Sequence, residues 1–199
     1  MYNDKLVESR KVRQNIIINM KEMLHDRCFE NAGHSTKTQC LTADFARNLG
    51  FSLDDPQMKS LSQLAVLHDI GKVAIPKELL GKPGTLTYSE WQIVRSHSDI
   101  GYRMAQSIGE LGLADIILAL HERWDGSGYP CNLQGEQIPF LARLFSIVDV
   151  YDVITHDRPY KVAMAEDSAL QEIVLRAGSQ FDPDLAEKFV KFMLAQPGK

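Results

Sequence analysis

The stretch LHDIGKVAIP, residues 67–76, predicts the end of a helix that carries polar groups into a core. Leu61, Leu64 and His68 recur at i, i+3 and i+7, so His68 lies on the core-facing stripe of that helix. Asp69 follows directly. A histidine and a carboxylate that point inward need a partner, because an unpaired buried charge is very costly. Either a metal ion or a buried His–Asp hydrogen bond meets this need.

The residues after this pair predict where the helix stops. Gly71 is placed to end it, and Pro76 opposes an immediate restart. Lys72 then lies beside the pair, either as a solvent-exposed lysine or as a cation that neutralises phosphate charge.

Composition restricts the class of protein. The chain has 199 residues, 24% charged and 44% hydrophobic, which is ordinary for one soluble globular domain. A net charge of −4 argues against binding to DNA or RNA polymers. Cys28, Cys40 and Cys131 are widely spaced and fit reduced thiols in the cytosol. No bilayer-length apolar run or signal peptide is visible, so we expect a cytoplasmic protein without membrane insertion.

A second histidine falls on an apolar helix face. Thr87 and Glu90 form a capping-box pattern that starts a helix. On this helix Ile93, His97 and Ile100 share one face, which turns His97 inward.

A third histidine and a further carboxylate repeat this pattern. Leu113, Ile117 and His121 are spaced four apart on a short helix. A long apolar helix begins near Pro139, and Asp149 lies on its core-facing stripe.

The other segments are also helical in pattern. Helices are predicted at about 4–26, 35–49, 166–177 and 183–194, and no segment has a convincing strand pattern. The chain is therefore predicted to be all-α. We divide it into an N-terminal amphipathic helix within residues 1–28, which serves as a linker or interaction surface, and one domain over residues 29–199.

Two loops and one short run carry further polar groups. Glu30 and His34 lie four apart, so a helix would place them on one face, either as two ligands of one metal or as a surface pair. The glycine-rich loop 122–130 carries Tyr129, which can stack on a ligand or donate a hydrogen bond. Residues 157–161 bring two cations and a ring together, as a helix-end charge complement or as a phosphate-and-base contact set.

Several inward ligands on separate helices favour a metal centre over isolated buried histidines. Burying this many titratable groups without a metal would cost several kcal/mol for each unpaired charge. Imidazole and carboxylate ligands without thiolate suit Fe, Mn, Zn or Ni. Asp69 can bridge two ions, and paired ions activate water and hold the oxygens of a phosphoryl displacement. The set consists of His68, Asp69, His97, His121 and Asp149.

These motifs closely resemble those of the HD-GYP domains, a branch of the HD superfamily of metal-dependent phosphohydrolases. The resemblance covers about residues 29–189 and rests mainly on the His68–Asp69 pair and on Gly128-Tyr129-Pro130. Further ordered matches are Gly33-His34-Ser35, 67–76, 82–87, His97 with Gly101, 122–130, Asp149 with Asp152, 158–161 and 181–183.

The resemblance implies an all-α, HD-type helical bundle with a buried metal centre. It also implies hydrolysis of the second messenger cyclic di-GMP, to the linear dinucleotide pGpG or onward to GMP, by attack of a metal-activated water. Two or three divalent ions are implied, with iron or manganese first and zinc or nickel as alternatives.

The resemblance also assigns roles to residues. The ligands of a metal pair are His68, Asp69 as the bridge, His97, His121 and Asp149, and the ligands of an additional metal are Glu30 and His34. Lys72 contacts the scissile phosphate and, with Asp69, is catalytic. The dinucleotide is held by Tyr129, Asp152, Arg158 and Lys161.

One position departs from the family pattern. Where the family usually carries a His-His pair before the Glu122 segment, the first position here is Leu120, which cannot bind a metal. Three functions follow: a cyclic di-GMP phosphodiesterase that tolerates Leu120, a dinucleotide-binding or signalling module without turnover, or a general HD nucleotide phosphohydrolase. The N-terminal helix is the candidate surface for a homodimer or for a sensor or receiver partner.

Overall fold

The computed structural model describes residues 11–12, 14–20, 22–24, 32–157 and 162–196, with the backbone alone at 32–35. The predicted all-α class is confirmed. The described residues contain no strand, and an isolated bridge joins Ala177 to Phe181. Within these residues, no helix has both the length and the apolar character that crossing a bilayer requires.

The described chain forms a helical bundle with short connections. Residues 11–12, 14–20 and 22–24 are helical. In chain order the following helices are α1 (Ala32–Asn48), α2 (Pro56–Leu67), α3 (Lys77–Leu80), α4 (Tyr88–Arg95), α5 (His97–Ser107), α6 (Leu111–Ala119), α7 (Phe140–Thr155), α8 (Glu166–Leu175) and α9 (Pro183–Leu194), with 3₁₀ turns at Ile70–Ala74 and Gly135–Gln137.

Helix α7 lies at the centre of the bundle. It packs against α1, α2, α6, α8 and α9. Phe145, Ile147 and Val148 on it are fully buried, as expected for a helix that is apolar nearly all round. Phe45 of α1 meets Phe189 of α9 edge to face, with 5.1 Å between ring centroids. The bundle therefore closes around α7, which carries Asp149.

The N-terminal helical residues contribute to this core. Met20 and Leu24 are buried in the same apolar cluster, whereas Val12 and Ile18 are both 53% exposed. This division fits the amphipathic pattern of the predicted 4–26 helix. The role of this helix as a partner surface stays a prediction.

The start signals recognised in the sequence act as helix caps. Asp55 caps α2 by accepting a hydrogen bond from the Gln57 N–H at 2.8 Å. Thr87 and Glu90 form the predicted capping box at the start of α4.

The helix that carries the His-Asp pair ends earlier than predicted. α2 stops at Leu67, His68 is its C-cap residue, and a 3₁₀ turn begins at Ile70. Gly71 therefore does not terminate the helix. Its role is close approach: a Cβ there would lie 1.9 Å from the His97 carbonyl oxygen. The missing side chain lets the 3₁₀ turn contact α5.

Two other helices also end earlier than the sequence pattern predicted. Ile93 and His97 do not share a helix, because α4 ends at Arg95 and α5 begins at His97. Between them, the Ser96 hydroxyl donates to the Ile93 carbonyl at 2.6 Å, a local bond that competes with the helical ladder. Ile93 is 44% exposed although His97 is buried. Similarly, His121 lies two residues beyond the end of α6.

We predict that Gly71→Ala lowers the free energy of unfolding by about 2 kcal/mol or more, because the added methyl group has no space against the α5 backbone. Chemical denaturation of metal-free protein measures this change. Gly112→Ala is the matched control, since Gly112 lies in α6 with no atom within 4 Å of where the added methyl group would lie, and this change should be neutral or slightly stabilising. Equal stability of the two variants would contradict the close-approach role of Gly71.

Candidate metal centre

Four helices bring the predicted ligands together. His68 and Asp69 follow the end of α2, His97 begins α5, His121 follows α6, and Asp149 lies on α7. α2 packs against both α6 and α7, and α5 packs against α6 and the 3₁₀ turn. The ligands therefore meet at the junction of these elements.

One donor set consists of Asp69, His97 and His121. One ligand atom from each lies within 4.8 Å of the others. The two imidazole Nε2 atoms are 2.8 Å apart, and His97 Nε2 is 3.7 Å from Asp69 Oδ1. These three side chains could hold a metal ion.

A second donor set lies on the other side of Asp69. His68 Nε2 is 3.4 Å from Asp69 Oδ2 and 3.7 Å from Asp149 Oδ1. The side chains of His68 and Asp69 are almost fully buried, whereas that of Asp149 is 19% exposed. Asp69 thus offers one oxygen to each donor set.

Burial keeps the two histidines of the first set neutral. Burial lowers the pKa of His97, against the opposing effect of Asp69. It also lowers the pKa of His121 to about 3, with a further contribution from His97. Neutral imidazole is the form that binds a metal, so both rings are prepared as ligands.

The tautomer of His97 is set by the backbone of α4. Its Nδ1 lies 2.7 Å from the Val94 carbonyl oxygen, which can only accept a hydrogen bond. Nδ1 must therefore carry the proton, and Nε2 presents its lone pair to the centre. Such an outer hydrogen bond commonly orients a metal-binding histidine.

Asp69 is ionised although it is buried. Burial alone would raise the pKa of its carboxyl, but the cation of Lys72 and the nearby His68 hold the pKa well below its usual range. Lys72 forms an ion pair with Oδ2. The other oxygen, Oδ1, is buried and accepts no hydrogen bond from the described residues. A divalent cation would satisfy this oxygen, so the donor set fits a metal.

The glycine-rich loop covers the first donor set with an aromatic ring. Tyr129 stacks on His121 with 5.1 Å between centroids and 8° between planes. Its N–H donates to the His121 carbonyl at 3.2 Å. Gly128 permits this path, because a Cβ there would lie 2.4 Å from the Arg123 nitrogen.

Glu122 holds this loop in place, although no sequence pattern predicted that role for it. Its buried carboxylate accepts from the Cys131 N–H at 2.6 Å and from the Leu133 N–H at 3.1 Å. A glutamate directly after His121, inside a loop with few apolar residues, was the available signal. Glu122 ties both ends of the segment that carries Tyr129.

The loop is also fixed to the turn between α8 and α9. The Trp124 N–H donates to the Gln180 carbonyl at 3.2 Å, and the Asp125 N–H donates to the Ser179 carbonyl at 2.9 Å. Two C-terminal helices therefore support the loop from outside the metal centre.

Of the other residues that the sequence singled out, Leu120 and Asp152 are described and buried, and the rest have no described side chain. Leu120 is buried in the apolar core at 4% exposure and supplies no ligand. The side chain of Asp152 is 4% exposed, and its Oδ1 lies 3.4 Å from His156 Nδ1. Glu30, Arg158 and Lys161 lie outside the described residues, and His34 is described only as backbone in α1. Their roles stay predictions.

Comparison with known proteins identifies the family of this arrangement. A protein-family model for the HD domain matches residues 19–185. A cyclic di-GMP phosphodiesterase of Vibrio cholerae is 36% identical over 92% of this chain and 40% of its own length. A cyclic di-GMP phosphodiesterase of Pseudomonas aeruginosa is 41% identical over 79% of this chain and 38% of its own length. The chain thus spans about two fifths of these relatives.

A solved structure shows the same fold. A cyclic GMP-AMP specific phosphodiesterase of V. cholerae superposes with a TM-score of 0.67 at 21% identity, over 92% of this chain and 48% of the other.

We predict that Asp69→Ala removes nearly all bound metal, because both donor sets lose an oxygen. His121→Ala and Asp149→Ala each affect one set and should retain about half of the wild-type content. Elemental analysis of protein purified without chelator measures the metal per chain. Asp99→Ala is the matched control, since Asp99 is a half-exposed α5 carboxylate paired with Arg103. Wild-type metal content in Asp69→Ala would contradict the shared role of Asp69.

We predict that Glu122→Ala lowers the free energy of unfolding by about 2 kcal/mol, because it leaves two loop N–H groups without their acceptor. Denaturant unfolding measures the loss, and faster amide hydrogen exchange at Cys131 and Leu133 locates it. Glu136→Ala, an exposed glutamate of the same segment, is the control. Unchanged hydrogen exchange at both amides would contradict the proposal that Glu122 holds this part of the loop.

Proposed function

This chain belongs to the HD domain family, as its motifs indicated, and on that premise we propose that it hydrolyses a cyclic dinucleotide. Cyclic di-GMP is the first candidate substrate. The reaction is metal-dependent cleavage of a phosphodiester to a linear dinucleotide, pGpG, with GMP as a further product.

The observation that carries this proposal is the position of Asp69 between two donor sets, with Lys72 against it. Asp69, with His68 and Asp149 on one side and His97 and His121 on the other, would hold two divalent ions, whose chemistry would be to lower the pKa of a water and to stabilise negative charge on phosphoryl oxygens. Asp69 is ionised, and His97 and His121 are neutral, so the three side chains have the charge states that metal binding requires.

Two other side chains contribute directly to phosphate binding. The Lys72 ammonium lies beside the shared carboxylate and can donate to an oxygen of the scissile phosphate. Burial raises the pKa of Tyr129 to about 12, with Asp69 adding to the effect. The Tyr129 hydroxyl therefore stays protonated and acts as a hydrogen-bond donor rather than as a base.

We assign iron or manganese as the first candidates for the metal pair. The described donors are imidazole nitrogens and carboxylate oxygens, and the thiols of Cys40 and Cys131 are exposed and outside the donor sets. This chemistry also admits zinc or nickel. A third ion at Glu30 and His34 is part of the proposal.

The substrate class is supported by the names of the relatives. Two are called cyclic di-GMP phosphodiesterases, and a structural neighbour is called specific for cyclic GMP-AMP. A second phosphate and two bases need contacts beyond the metal pair, and Arg158 and Lys161 are candidates for them. A mononucleotide would have little use for these groups, which weakens the general phosphohydrolase alternative.

Leu120 favours a second candidate function. It lies in the apolar core where the family pattern has a ligand, so the first donor set has one imidazole fewer. The alternative is a module that binds metal and cyclic dinucleotide without turnover and signals through a partner. The N-terminal helix remains the candidate surface for that partner or for a second copy.

We predict that the wild-type protein loaded with Mn²⁺ or Fe²⁺ converts cyclic di-GMP to pGpG or GMP, measured by chromatography. Lys72→Met should lower kcat about 100-fold or more at unchanged metal content, because a charge next to the phosphate is lost. Lys59→Met, which changes an exposed lysine of α2, is the matched control.

The outcomes separate the candidate functions. Metal and tight dinucleotide binding without product would support the signalling module. Neither metal nor dinucleotide binding would contradict both.

A further inference from the structure

Helix α4 presents large side chains to solvent beside the metal centre. It has no buried residue, and Tyr88 is 80% and Trp91 45% exposed. The helix is nevertheless well anchored, since Lys82 forms an ion pair with Glu90 at 2.6 Å and Thr87 completes its capping box. The exposed ring of Trp91 thus lies on a fixed element.

A series of stacked groups connects Trp91 to the first donor set. The guanidinium carbon of Arg95 lies 5.7 Å from the centroid of Trp91 and 4.9 Å from the centroid of Tyr129. Tyr129 in turn stacks on His121. Trp91 and Arg95 are therefore within reach of a ligand whose phosphate lies at the metal centre.

Arg95 differs from every other arginine that the structure describes. The others form ion pairs with carboxylates: Arg47 with Asp44, Arg103 with Asp99, Arg123 with Asp125, Arg143 with Asp182 and Arg176 with Glu172. Arg95 forms no ion pair or hydrogen bond with any described residue, and its contacts there are the two rings. Its N–H donors are available to a ligand.

We propose that Trp91 and Arg95 bind one guanine of the cyclic dinucleotide and select it over adenine. The Trp91 ring stacks on the base, and Arg95 donates two hydrogen bonds to guanine O6 and N7. Adenine has an amino group in place of O6, so it cannot accept the second bond. This inference rests on the proposed function, because it needs a dinucleotide at the metal centre.

The selectivity follows from the different chemistry of the two side chains. Stacking is similar for all bases, since each has a π-face, whereas the paired N–H donors of arginine match guanine. Loss of Trp91 should weaken the binding of all cyclic dinucleotides to a similar extent. Loss of Arg95 should weaken the binding of those cyclic dinucleotides that contain guanine.

The experiment measures the Kd of cyclic di-GMP and of cyclic di-AMP by calorimetry on metal-loaded protein, together with kcat/KM for both. The variants are Arg95→Met, Arg95→Lys and Trp91→Leu. Arg103→Met is the matched control, because Arg103 is an exposed arginine of the next helix whose partner is Asp99. Metal content is determined for each variant.

We expect Arg95→Met to raise the Kd of cyclic di-GMP about tenfold or more and that of cyclic di-AMP less than about threefold. Arg95→Lys should behave like Arg95→Met, since lysine keeps the charge but not the planar pair of donors. Trp91→Leu should weaken both ligands by similar factors.

Three results would overturn the inference. They are an unchanged Kd for cyclic di-GMP in Arg95→Met, an equal loss for both ligands that Arg95→Lys restores, and a loss that follows the metal content. If the wild-type protein binds cyclic di-GMP but does not cleave it, the proposed hydrolysis is overturned. The inference about Arg95 is still tested in that case, because it depends on Kd and not on turnover.

Discussion

The buried charge of Asp69 is the constraint on which the rest of the site depends. A carboxylate in this position must be compensated on every side, and the chain does so with Lys72 on one oxygen and imidazoles near both. Oδ1 still lacks a hydrogen bond from the described residues. The fold therefore holds an ionised group whose compensation a bound cation would complete. Stability and metal affinity are linked through this one side chain.

Small residues determine how closely the surrounding elements approach. Gly71 lets the 3₁₀ turn after α2 contact the backbone at His97, and Gly128 lets the loop fold back on Arg123 and Glu122. Both contacts are between backbones, so they fix the backbone from which the neighbouring side chains extend. Such precision is what a pair of donor sets a few Å apart requires.

The sequence pattern identified the residues of the metal centre more accurately than it predicted the ends of the helices that carry them. Periodicity placed His68 and Asp149 on inward faces, and both lie at the centre. It also turned His97 and His121 inward, where both belong to one donor set, but it misplaced the helices: Ser96 interrupts the helix predicted through His97, and His121 lies beyond a helix end. At Ser96 the break follows from a local hydrogen bond to the Ile93 carbonyl, which no apolar repeat encodes.

The sequence pattern also could not predict which segments, distant along the chain, contact each other. The contact of Arg95 with Tyr129 joins residues on separate elements, and nothing in either stretch predicts it. The carboxylate of Glu122 accepts hydrogen bonds from residues that follow a turn, so its role is visible only once the loop path is known. The all-α class needed none of these contacts, because helical periodicity within each segment was enough.

The turn between α8 and α9 has a consequence for how this chain can vary in length. Turns between surface helices usually accept inserted or deleted residues. Here the carbonyls of Ser179 and Gln180 accept hydrogen bonds from the loop that carries Tyr129, some fifty positions earlier in the chain. A change of one residue would move both acceptors out of register with their donors. The length of this turn is thus restricted by the loop beside the metal centre, although the turn is remote in sequence from every candidate ligand.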